Sequence, residues 1–396
     1  MKKIAIVVQR CHESIVGGSE ALAWQYASLL KSQYDVEILT STAMDYTNWA
    51  NVLPEGTETK DGIVIRRFAP DRDRSPYWHH LYERLLNFWR AAQVQVELPK
   101  DWLPWSMAMQ EEFIRWQGPF CPGMIEYVQQ CQDQYAGFIF VTYLYPTVYF
   151  CMPQVPSNKV IFAPTCHDEP TAYLPAFRYM AAQTGQFIWL TSAEQKLTQA
   201  FWGDCSGAIV GMAIAVEKPK PKPRPYPYLL YSGRIDQNKG CQDLVDFFLN
   251  YQQSVPSKLK LILTGQDNMG VSKHPAIEFL GFVSESEKLA LMAGAQAFVM
   301  PSPYESFSIA TLEAMAQGTP VLVNGKCEVL LEHVDRSGAG LAYYDYHSFA
   351  KGLSSLLNQT VEARSSMAEA AERYVAQNYT IEAVKRKLVQ VIENIE

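Results

Sequence analysis

Two glutamates and two cations have types and positions that suit the binding of one elongated anion. Glu305 and Glu313 bracket seven uncharged residues in the stretch YESFSIATLEAMAQG. Arg234 and Lys239 belong to SGRIDQNKG, a glycine-flanked loop that follows the strand-like run YLLYSG. Cations in a flexible loop at a strand end can hold phosphates, and carboxylates can accept hydrogen bonds from neutral diols. The four side chains therefore predict a site for a nucleotide sugar, whose diphosphate lies between two hydroxyl-rich ends.

Each of these motifs also has an ordinary structural interpretation, which the residues alone leave open. SGRIDQNKG is compatible with a solvated loop, and Glu313 is compatible with a solvated helix position or a salt bridge. The helix that contains Glu313 is predicted to begin near Ser306 or Ser308, either of which could cap it, and to stop at Gly318. Its first amide groups would then point toward a bound phosphate.

The elements that position these residues form two alternating series of strands and helices. In the N-terminal half the strand-like runs are KIAIVVQ (3–9), DVEILTS (35–41), IVIRRF (63–68), GFIFVTY (137–143), VIFAPT (160–165), FIWLTS (187–192) and AIVGM (208–212). In the C-terminal half they are YLLYSG (228–233), LKLILTG (259–265), IEFLGF (277–282), AFVMPS (297–302) and PVLVNG (320–325). Continuous apolar strands that alternate with helices predict parallel sheets covered on both faces.

We therefore expect an α/β protein of two Rossmann-like domains that face each other across a cleft, with boundaries at 1–215 and 216–376. A proline-alternating stretch, EKPKPKPRPYPY (217–228), favours an extended, stiff conformation. It is predicted to connect the domains, and the alternative is a proline-rich ligand for a partner. The last stretch, about 377–396, is expected to form an amphipathic helix that could pack back on the first domain.

Composition limits the class of protein. The formal net charge of −7 gives no support for nucleic-acid binding. The eight cysteines show no CxxC spacing and are interpreted as free thiols in a reducing cytoplasm. The apolar run after the first residues is too short for a signal peptide, and no segment has the ~18 uninterrupted apolar residues of a membrane span. We expect a cytoplasmic protein.

The first domain contributes two further candidates. Gly17 and Gly18, in HESIVGGSEALA, permit close backbone approach at a helix start, although a plain turn is an equal alternative. His167, in APTCHDEP, follows the strand-like run VIFAPT. A lone histidine is commonly structural, but one at the carboxyl end of a strand could position a substrate.

The run IEFLGFVSESEKLALMAGAQAFVMPSPYESFSIATLEAMAQGTPVLV resembles the C-terminal signature of glycosyltransferase family 4, whose members are retaining enzymes with the GT-B fold. The motif comprises a glutamate, seven residues, a second glutamate and then AMAxGxPV. SGRIDQNKG resembles the donor loop of the family. The segments CHESIVGGSE, VEILTSTAMDYTNW, GIVIRRFAPDRDR, FVTYLYPT and PTCHDEP resemble a bacterial subset linked to cell-surface polysaccharides. The departures from the family pattern are VGMAIAV and NGKCEVL.

The resemblance implies a role for each matched residue. Arg234 and Lys239 would bind the diphosphate, Glu305 the transferred sugar and Glu313 the ribose, while His167 would lie near the anomeric centre. His167, Glu305, Arg234 and Lys239 form the implied catalytic set. The other implied donor-site residues are Gly17, Gly18, Gly233, Gly265, Val283, Phe307, Ser308 and Ile309.

The implied activity is sugar transfer from a UDP-sugar, with glucose the first candidate, to a saccharide or lipid-linked saccharide in bacterial envelope or exopolysaccharide synthesis. The resemblance implies no cofactor and no metal, and Asp71-Arg72-Asp73 is a D-x-D flanked by arginines without a second ligand cluster. The alternatives are a nucleotide-sugar-binding regulator without turnover and an epimerase of the same fold. No GxGxxG follows a strand, which disfavours a nicotinamide oxidoreductase.

A tryptophan-rich region spans residues 75–120 and holds five of the nine tryptophans. It could bind a lipid-linked acceptor, with peripheral contact at the cytoplasmic face of the inner membrane. The alternative is helical packing within the first domain.

Overall fold

The computed structural model describes residues 1–15, 17–92, 102–221 and 224–395. These residues form two compact units. The first comprises residues 1–210 and 385–396, and the second comprises residues 211–384. None of the described helices is long and apolar enough to cross a membrane.

The first unit is built on one eight-stranded sheet. Its strands are β1 (Lys3–Val7), β2 (Asp35–Ser41), β3 (Gly56–Lys60), β4 (Ile63–Phe68), β5 (Gly137–Val141), β6 (Val160–Ala163), β7 (Gln186–Trp189) and β8 (Gly207–Ile209). Their order is β3-β4-β2-β1-β5-β6-β7-β8. All neighbouring pairs are parallel except β3 with β4. The runs predicted from apolar continuity are therefore strands, while the polar edge strand β3 was not predicted.

Helices and connecting segments cover this sheet. The helices are α1 (Gly18–Leu30), α2 (Trp78–Ala92), α3 (Met107–Gln117), α4 (Pro122–Cys131), α5 (Pro146–Tyr149), α6 (Pro175–Ala181) and α7 (Ser192–Trp202). In α1, Leu22, Tyr26 and Leu30 recur at helical spacing and are buried. Strand β5 is buried at every residue, as its uninterrupted apolar sequence predicts.

The second unit contains a six-stranded, wholly parallel sheet. Its strands are β9 (Tyr228–Ser232), β10 (Lys260–Thr264), β11 (Ile277–Gly281), β12 (Ala297–Met300), β13 (Val321–Asn324) and β14 (Gly340–Tyr343). The helices that follow along the chain are α8 (Cys241–Ser254), α9 (Glu285–Gly294), α10 (Ile309–Ala316), α11 (Glu328–Ser337), α12 (Tyr346–Leu357), α13 (Val361–Asn378) and α14 (Ile381–Glu393). The part of α14 from Lys385 onward belongs to the first unit. The short strand β14 was not predicted.

Each sheet has a point where the strand order reverses. In the second sheet, β10 and β11 lie on one side of β9, and β12, β13 and β14 lie on the other. In the first sheet, β1 lies between β2 and β5. Loops at the carboxyl ends of strands beside such a switch point are where parallel sheets bind ligands. We therefore expect ligand-binding residues on the loops after β9, β12 and β1.

The tryptophan-rich region contributes to the packing of the first unit. Trp78 stacks on Phe113, with 5.8 Å between ring centroids, and Trp89 packs on Tyr173 at 4.3 Å. Residues 93–101 of this region lie outside the described residues. For the described tryptophans, the structure favours the helical-packing alternative.

The proline-alternating stretch belongs to the second unit. Lys218 forms an ion pair with Glu372 at 2.5 Å, and Arg224 forms one with Glu278 at 2.8 Å. Residues 222–223 lie outside the described residues. Basic residues of this stretch thus pair it with the second unit, a role beyond that of a connector.

Candidate active site

The loop after β9 carries the two predicted cations. Strand β9 ends at Ser232, a 3₁₀ turn follows over Gln237–Lys239, and α8 starts beyond Gly240. Gly240 has φ 69°, and a Cβ there would collide with the carbonyl oxygen of Pro301. Only glycine therefore permits this left-handed turn so close to the loop after β12.

The loop after β12 leads into α10, which starts at Ile309. Ser308 occupies the N-cap position with φ 62°, but it makes no side-chain capping bond. Its hydroxyl lies 2.9 Å from that of Thr311. The helix thus begins where predicted, with Ser308 as its cap residue, but the side-chain bond that a cap serine commonly makes is not formed. The left-handed backbone at Ser308 instead turns the chain into the helix, an arrangement uncommon outside glycine, asparagine and aspartate.

Lys239 and Glu305 meet across the switch point. Lys239 Nζ lies 2.8 Å from Glu305 Oε1, and the side chains are 28% and 14% exposed. The same ammonium lies 3.5 Å from the carbonyl oxygen of Tyr304. This charge-assisted bond fixes two predicted catalytic residues from different loops in one place.

Arg234 lies in the same loop as Lys239 but has an exposed side chain. Its carbonyl oxygen accepts a hydrogen bond from the Tyr231 hydroxyl at 2.7 Å. Among the described residues, no carboxylate forms an ion pair with its guanidinium. The backbone of Arg234 is therefore fixed, while its charge is available to a ligand.

Glu313 is a buried carboxylate on α10 that pairs with a lysine of α9. Lys288 Nζ donates to Glu313 Oε1 at 2.9 Å and lies 2.8 Å from Oε2. Glu313 Oε2 accepts no well-directed hydrogen bond from a described residue, although it is buried. Glu313 is thus salt-bridged to Lys288, and its Oε2 keeps acceptor capacity that a ligand hydroxyl could use.

Burial and the neighbouring charges act in opposite directions on the pKa values of this pair. Burial raises the pKa of the Glu313 carboxyl, and the nearby Lys288 ammonium opposes that rise. Burial also disfavours the charge on Lys288, but the carboxylates of Glu313 and Glu285 outweigh it and raise the pKa of Lys288. Lys288 therefore stays charged and supports the ionised form of Glu313.

A buried histidine of α11 supports the Glu305 loop. His333 Nε2 lies 2.8 Å from the Phe307 carbonyl oxygen, and Nδ1 lies 3.0 Å from the Tyr374 hydroxyl. The Phe307 ring packs edge-on against His333, with 6.0 Å between centroids. Burial lowers the pKa of His333. The neutral ring can therefore donate to the carbonyl and accept from the tyrosine, which fixes the backbone before α10.

The remaining predicted donor-site residues of the second unit lie around these loops. Gly265 has φ 119°, and a Cβ there would collide with the carbonyl oxygen of Gly233. The loops after β9 and β10 therefore abut closely. Val283 is half-buried and immediately precedes Ser284, whose hydroxyl caps α9.

The predicted glycine pair of the first unit stands at the start of α1. Gly17 is the N-cap residue, and a Cβ there would collide with the Glu20 carboxylate. No described heavy atom lies within 4 Å of a Cβ placed on Gly18. The backbone at Gly18 is therefore open to a neighbouring molecule, as close approach requires.

His167 follows β6 on a loop that a buried glutamate holds in place. Glu194 accepts hydrogen bonds from the amides of Cys166 and Leu190, each at 2.7 Å. Burial raises the pKa of Glu194 to about 8, while these backbone donors lower it. Thr165, with φ 49°, adds a left-handed residue to the same loop. His167 Nδ1 is buried without a hydrogen-bond partner among the described residues, so a ligand could supply one.

The described residues contain no group of three or more His, Cys, Asp or Glu side chains that could hold a metal ion. In the D-x-D stretch, Asp71 accepts a charged hydrogen bond from Arg72 at 2.9 Å.

Sequence reasoning missed three residues that support the site. Lys288 stands in ESEK, a pattern typical of an exposed helix face, and His333 and Glu194 stand on helices without a surrounding motif. The sequence contained only an indirect indication of these residues. A polar residue at an apolar position of a helix requires a buried partner, and both His333 and Glu194 are such residues.

Comparison with known proteins bears most directly on the second unit. Residues 214–374 match the family Glycosyl transferases group 1. The glycogen synthase of Mycobacterium tuberculosis is 30% identical over 174 residues, which cover 41% of each chain. The chain therefore spans only about two fifths of the length of this curated relative.

Two solved structures match nearly the whole chain. Sucrose-phosphate synthase from Thermosynechococcus elongatus has a TM-score of 0.69 at 15% identity, covering 100% of this chain and 99% of that one. Anabaena Alr3699/HepE in complex with UDP-glucose has a TM-score of 0.66 at 14% identity, covering 99% and 100%. These likenesses confirm the predicted α/β fold class. Residues 214–374 are therefore a glycosyl transferases group 1 domain, in a chain with the GT-B fold.

Proposed function

We propose that the protein is a retaining glycosyltransferase that moves a sugar, with glucose the first candidate, from a UDP-sugar to a hydroxyl of a saccharide or lipid-linked saccharide. The observation that carries this proposal is the 2.8 Å contact between Lys239 and Glu305. It joins a cation suited to a diphosphate with a carboxylate suited to sugar hydroxyls, inside a glycosyl transferases group 1 domain. The likeness to Anabaena Alr3699/HepE, a structure in complex with UDP-glucose, supports the choice of donor.

The donor would lie along the loops after β9 and β12. The exposed guanidinium of Arg234 and the ammonium of Lys239 would bind the diphosphate. The amides of Phe307, Ser308 and Ile309, at the positive end of α10, would add to this charge stabilisation.

The two ends of the donor would bind the two glutamates. Glu305 would accept hydrogen bonds from the transferred sugar. Glu313 Oε2 would accept one from a ribose hydroxyl, while Lys288 favours the charged form of the carboxylate.

The chemical step requires stabilisation of the leaving diphosphate. As the bond between the anomeric carbon and the phosphate oxygen breaks, its electron pair moves to the diphosphate, where Arg234 and Lys239 oppose the growing charge. The acceptor oxygen forms the new bond on the same face of the sugar, and its proton passes to a donor phosphate oxygen. This course retains the configuration and requires neither a metal nor an enzyme nucleophile.

We propose that the first unit positions the substrate. His167, held on its loop through Glu194, would orient the substrate near the anomeric centre, and the open backbone at Gly18 would allow close approach. By resemblance, we assign the reaction to bacterial envelope or exopolysaccharide synthesis, in the cytoplasm or at the cytoplasmic face of the inner membrane.

A panel of UDP-, GDP- and ADP-sugars, presented with EDTA, tests this proposal. Thermal shift would report binding, and free nucleotide would report turnover. We expect stabilisation by UDP-glucose and slow UDP release that candidate saccharide acceptors accelerate.

The other outcomes contradict parts of the proposal. Thermal stabilisation by a nucleotide sugar without release of free nucleotide, even with acceptors present, would indicate a binding regulator. Epimerised nucleotide sugar would indicate an epimerase, and turnover that EDTA abolishes would contradict the metal-free mechanism. No stabilisation by any donor would overturn the site.

A further inference from the structure

A cavity of about 590 Å³ lies on the first unit, between the loop after β1, helix α1 and the β3–β4 hairpin. This volume is within the range of small-molecule sites, roughly 300–1,000 Å³. The residues that bear on its chemistry are Glu13, Ala21, Trp24, Glu58, Lys60 and Arg67.

The floor of the cavity contains an arginine where the strand pattern calls for an apolar residue. Ile63, Ile65 and Arg67 alternate along β4 and are all buried, so they share one face of the sheet. Arg67 is only 3% exposed. Its buried Nε has no hydrogen-bond acceptor among the described residues. An unsatisfied buried donor is costly, and a bound molecule could satisfy it.

Carboxylates outnumber cations in the lining of the cavity, with Glu13, Glu20, Glu58 and Asp61 against Lys60 and Arg67. Arg67 Nη2 lies 2.6 Å from Glu58 Oε1, and Lys60 forms an ion pair with Glu13. Each of the two cations is thus paired with a carboxylate, and two further carboxylates remain in the lining. This excess of negative charge disfavours an anionic ligand and leaves hydrogen bonding and stacking as the means of recognition.

Two further features suit a sugar ring. The half-buried indole of Trp24 lines the cavity from α1 and offers an apolar face. The carboxylates of Glu58 and Glu13 retain lone pairs beyond their ion pairs and can accept from hydroxyls. Burial raises the pKa of the Cys11 thiol to about 11, so this lining residue stays uncharged.

We propose that this cavity binds an uncharged saccharide unit of the acceptor, with Trp24 beneath the sugar ring and the paired carboxylates and Arg67 bonded to its hydroxyls. This inference rests on the proposed function, since it supplies the acceptor for that reaction. It commits to a neutral polyhydroxylated ligand and disfavours a sugar phosphate.

An exposed alanine of α1 allows a direct test. Ala21 lines the cavity and its side chain faces solvent, so Ala21→Phe fills the cavity without disturbing the core, and Ala21→Ser is the matched control. Saturation-transfer NMR would measure the binding of methyl α-glucoside, N-acetylglucosamine and glucose 6-phosphate to all three proteins. UDP-glucose binding would be measured on the same samples.

At least one neutral sugar is expected to bind the wild type and Ala21→Ser, and to bind Ala21→Phe more weakly by about tenfold or more. UDP-glucose affinity is expected to be equal in the three proteins. Three outcomes would overturn the inference: equal sugar binding by Ala21→Phe, preferential binding of glucose 6-phosphate, or no binding of either neutral sugar. If UDP-glucose bound to none of the three proteins, that result would contradict the proposed function. The sugar-binding comparison would still test the cavity by itself.

Discussion

The ammonium of Lys239 contacts the carboxylate of Glu305 at 2.8 Å, although 66 positions separate the two residues in the sequence. The sheet order explains the contact, because β9 and β12 are hydrogen-bonded neighbours whose following loops emerge at the same edge. The cation that we propose for the diphosphate is thus held in place by the carboxylate that we propose for the sugar.

Removal of this cation should abolish most of the activity. Lys239→Ala is expected to reduce sugar transfer by ~10²–10³-fold, because the leaving diphosphate loses a preorganised positive charge. Initial rates of UDP release from UDP-glucose would measure the loss. Lys258→Ala, which removes an exposed lysine of the same unit, is the matched control and should keep its rate. Near-wild-type release by Lys239→Ala would contradict the role of the pair.

Glu313 should make donor binding depend on pH. Burial raises its pKa above the ordinary value of 4.5, so a larger fraction is protonated at mildly acidic pH. Protonation removes an acceptor for the ribose, and UDP-glucose affinity should therefore increase as pH rises through that range. UDP-glucose suits the calorimetric titration because its diphosphate does not titrate there. Glu313→Gln should bind weakly at every pH, and an equal pH dependence in that variant would assign the effect to another group.

His333 should contribute to stability only where it is neutral. Its folded-state pKa lies below the ordinary value of 6.5. The unfolded chain therefore binds a proton that the folded chain excludes, and stability falls as pH drops through 6.5 and below, by up to about 1.4 kcal/mol per pH unit. Urea midpoints of wild type and His333→Gln between about pH 5 and 8 test this point. The difference between the two proteins should change with pH, and a constant difference would contradict the assignment.

Glu194 should affect turnover without affecting donor affinity. Glu194→Gln loses one of the two carboxylate acceptors that hold the amides of Cys166 and Leu190. A displaced His167 should lower kcat by ~10–10²-fold, since small misplacements near reacting atoms have effects of that order. UDP-glucose affinity, which we assign to the second unit, should stay unchanged. A parallel loss of affinity, or a full kcat in the folded variant, would contradict this positioning role.

Apolar continuity predicted most of the fold, and the failures have physical causes. Strands β2 and β4 have the predicted bounds because their apolar runs stop where the sheet stops. Strand β3, GTETK, is an exposed, antiparallel edge strand. Strand β3 pairs through its backbone and needs no apolar side chain, so its sequence lacks the apolar run that predicted the other strands.

The residues of the candidate site also differ in whether the sequence could predict them. Glu305, Glu313 and Lys239 belong to motifs and could be singled out from local sequence. Lys288 and His333 could not, because their roles come from contacts 25 and 26 positions away in the chain. Side chains that support a site through tertiary contacts are visible only once the elements are placed.

The most direct test of the account is the anomeric configuration of glucose released from UDP-glucose when water is the only acceptor. Early proton NMR spectra, recorded before mutarotation, would distinguish the two anomers. We predict that α-glucose appears first, together with UDP, in the presence of EDTA, and that Lys239→Ala suppresses its release. Initial release of β-glucose, or no release together with tight binding, would contradict a retaining glycosyltransferase.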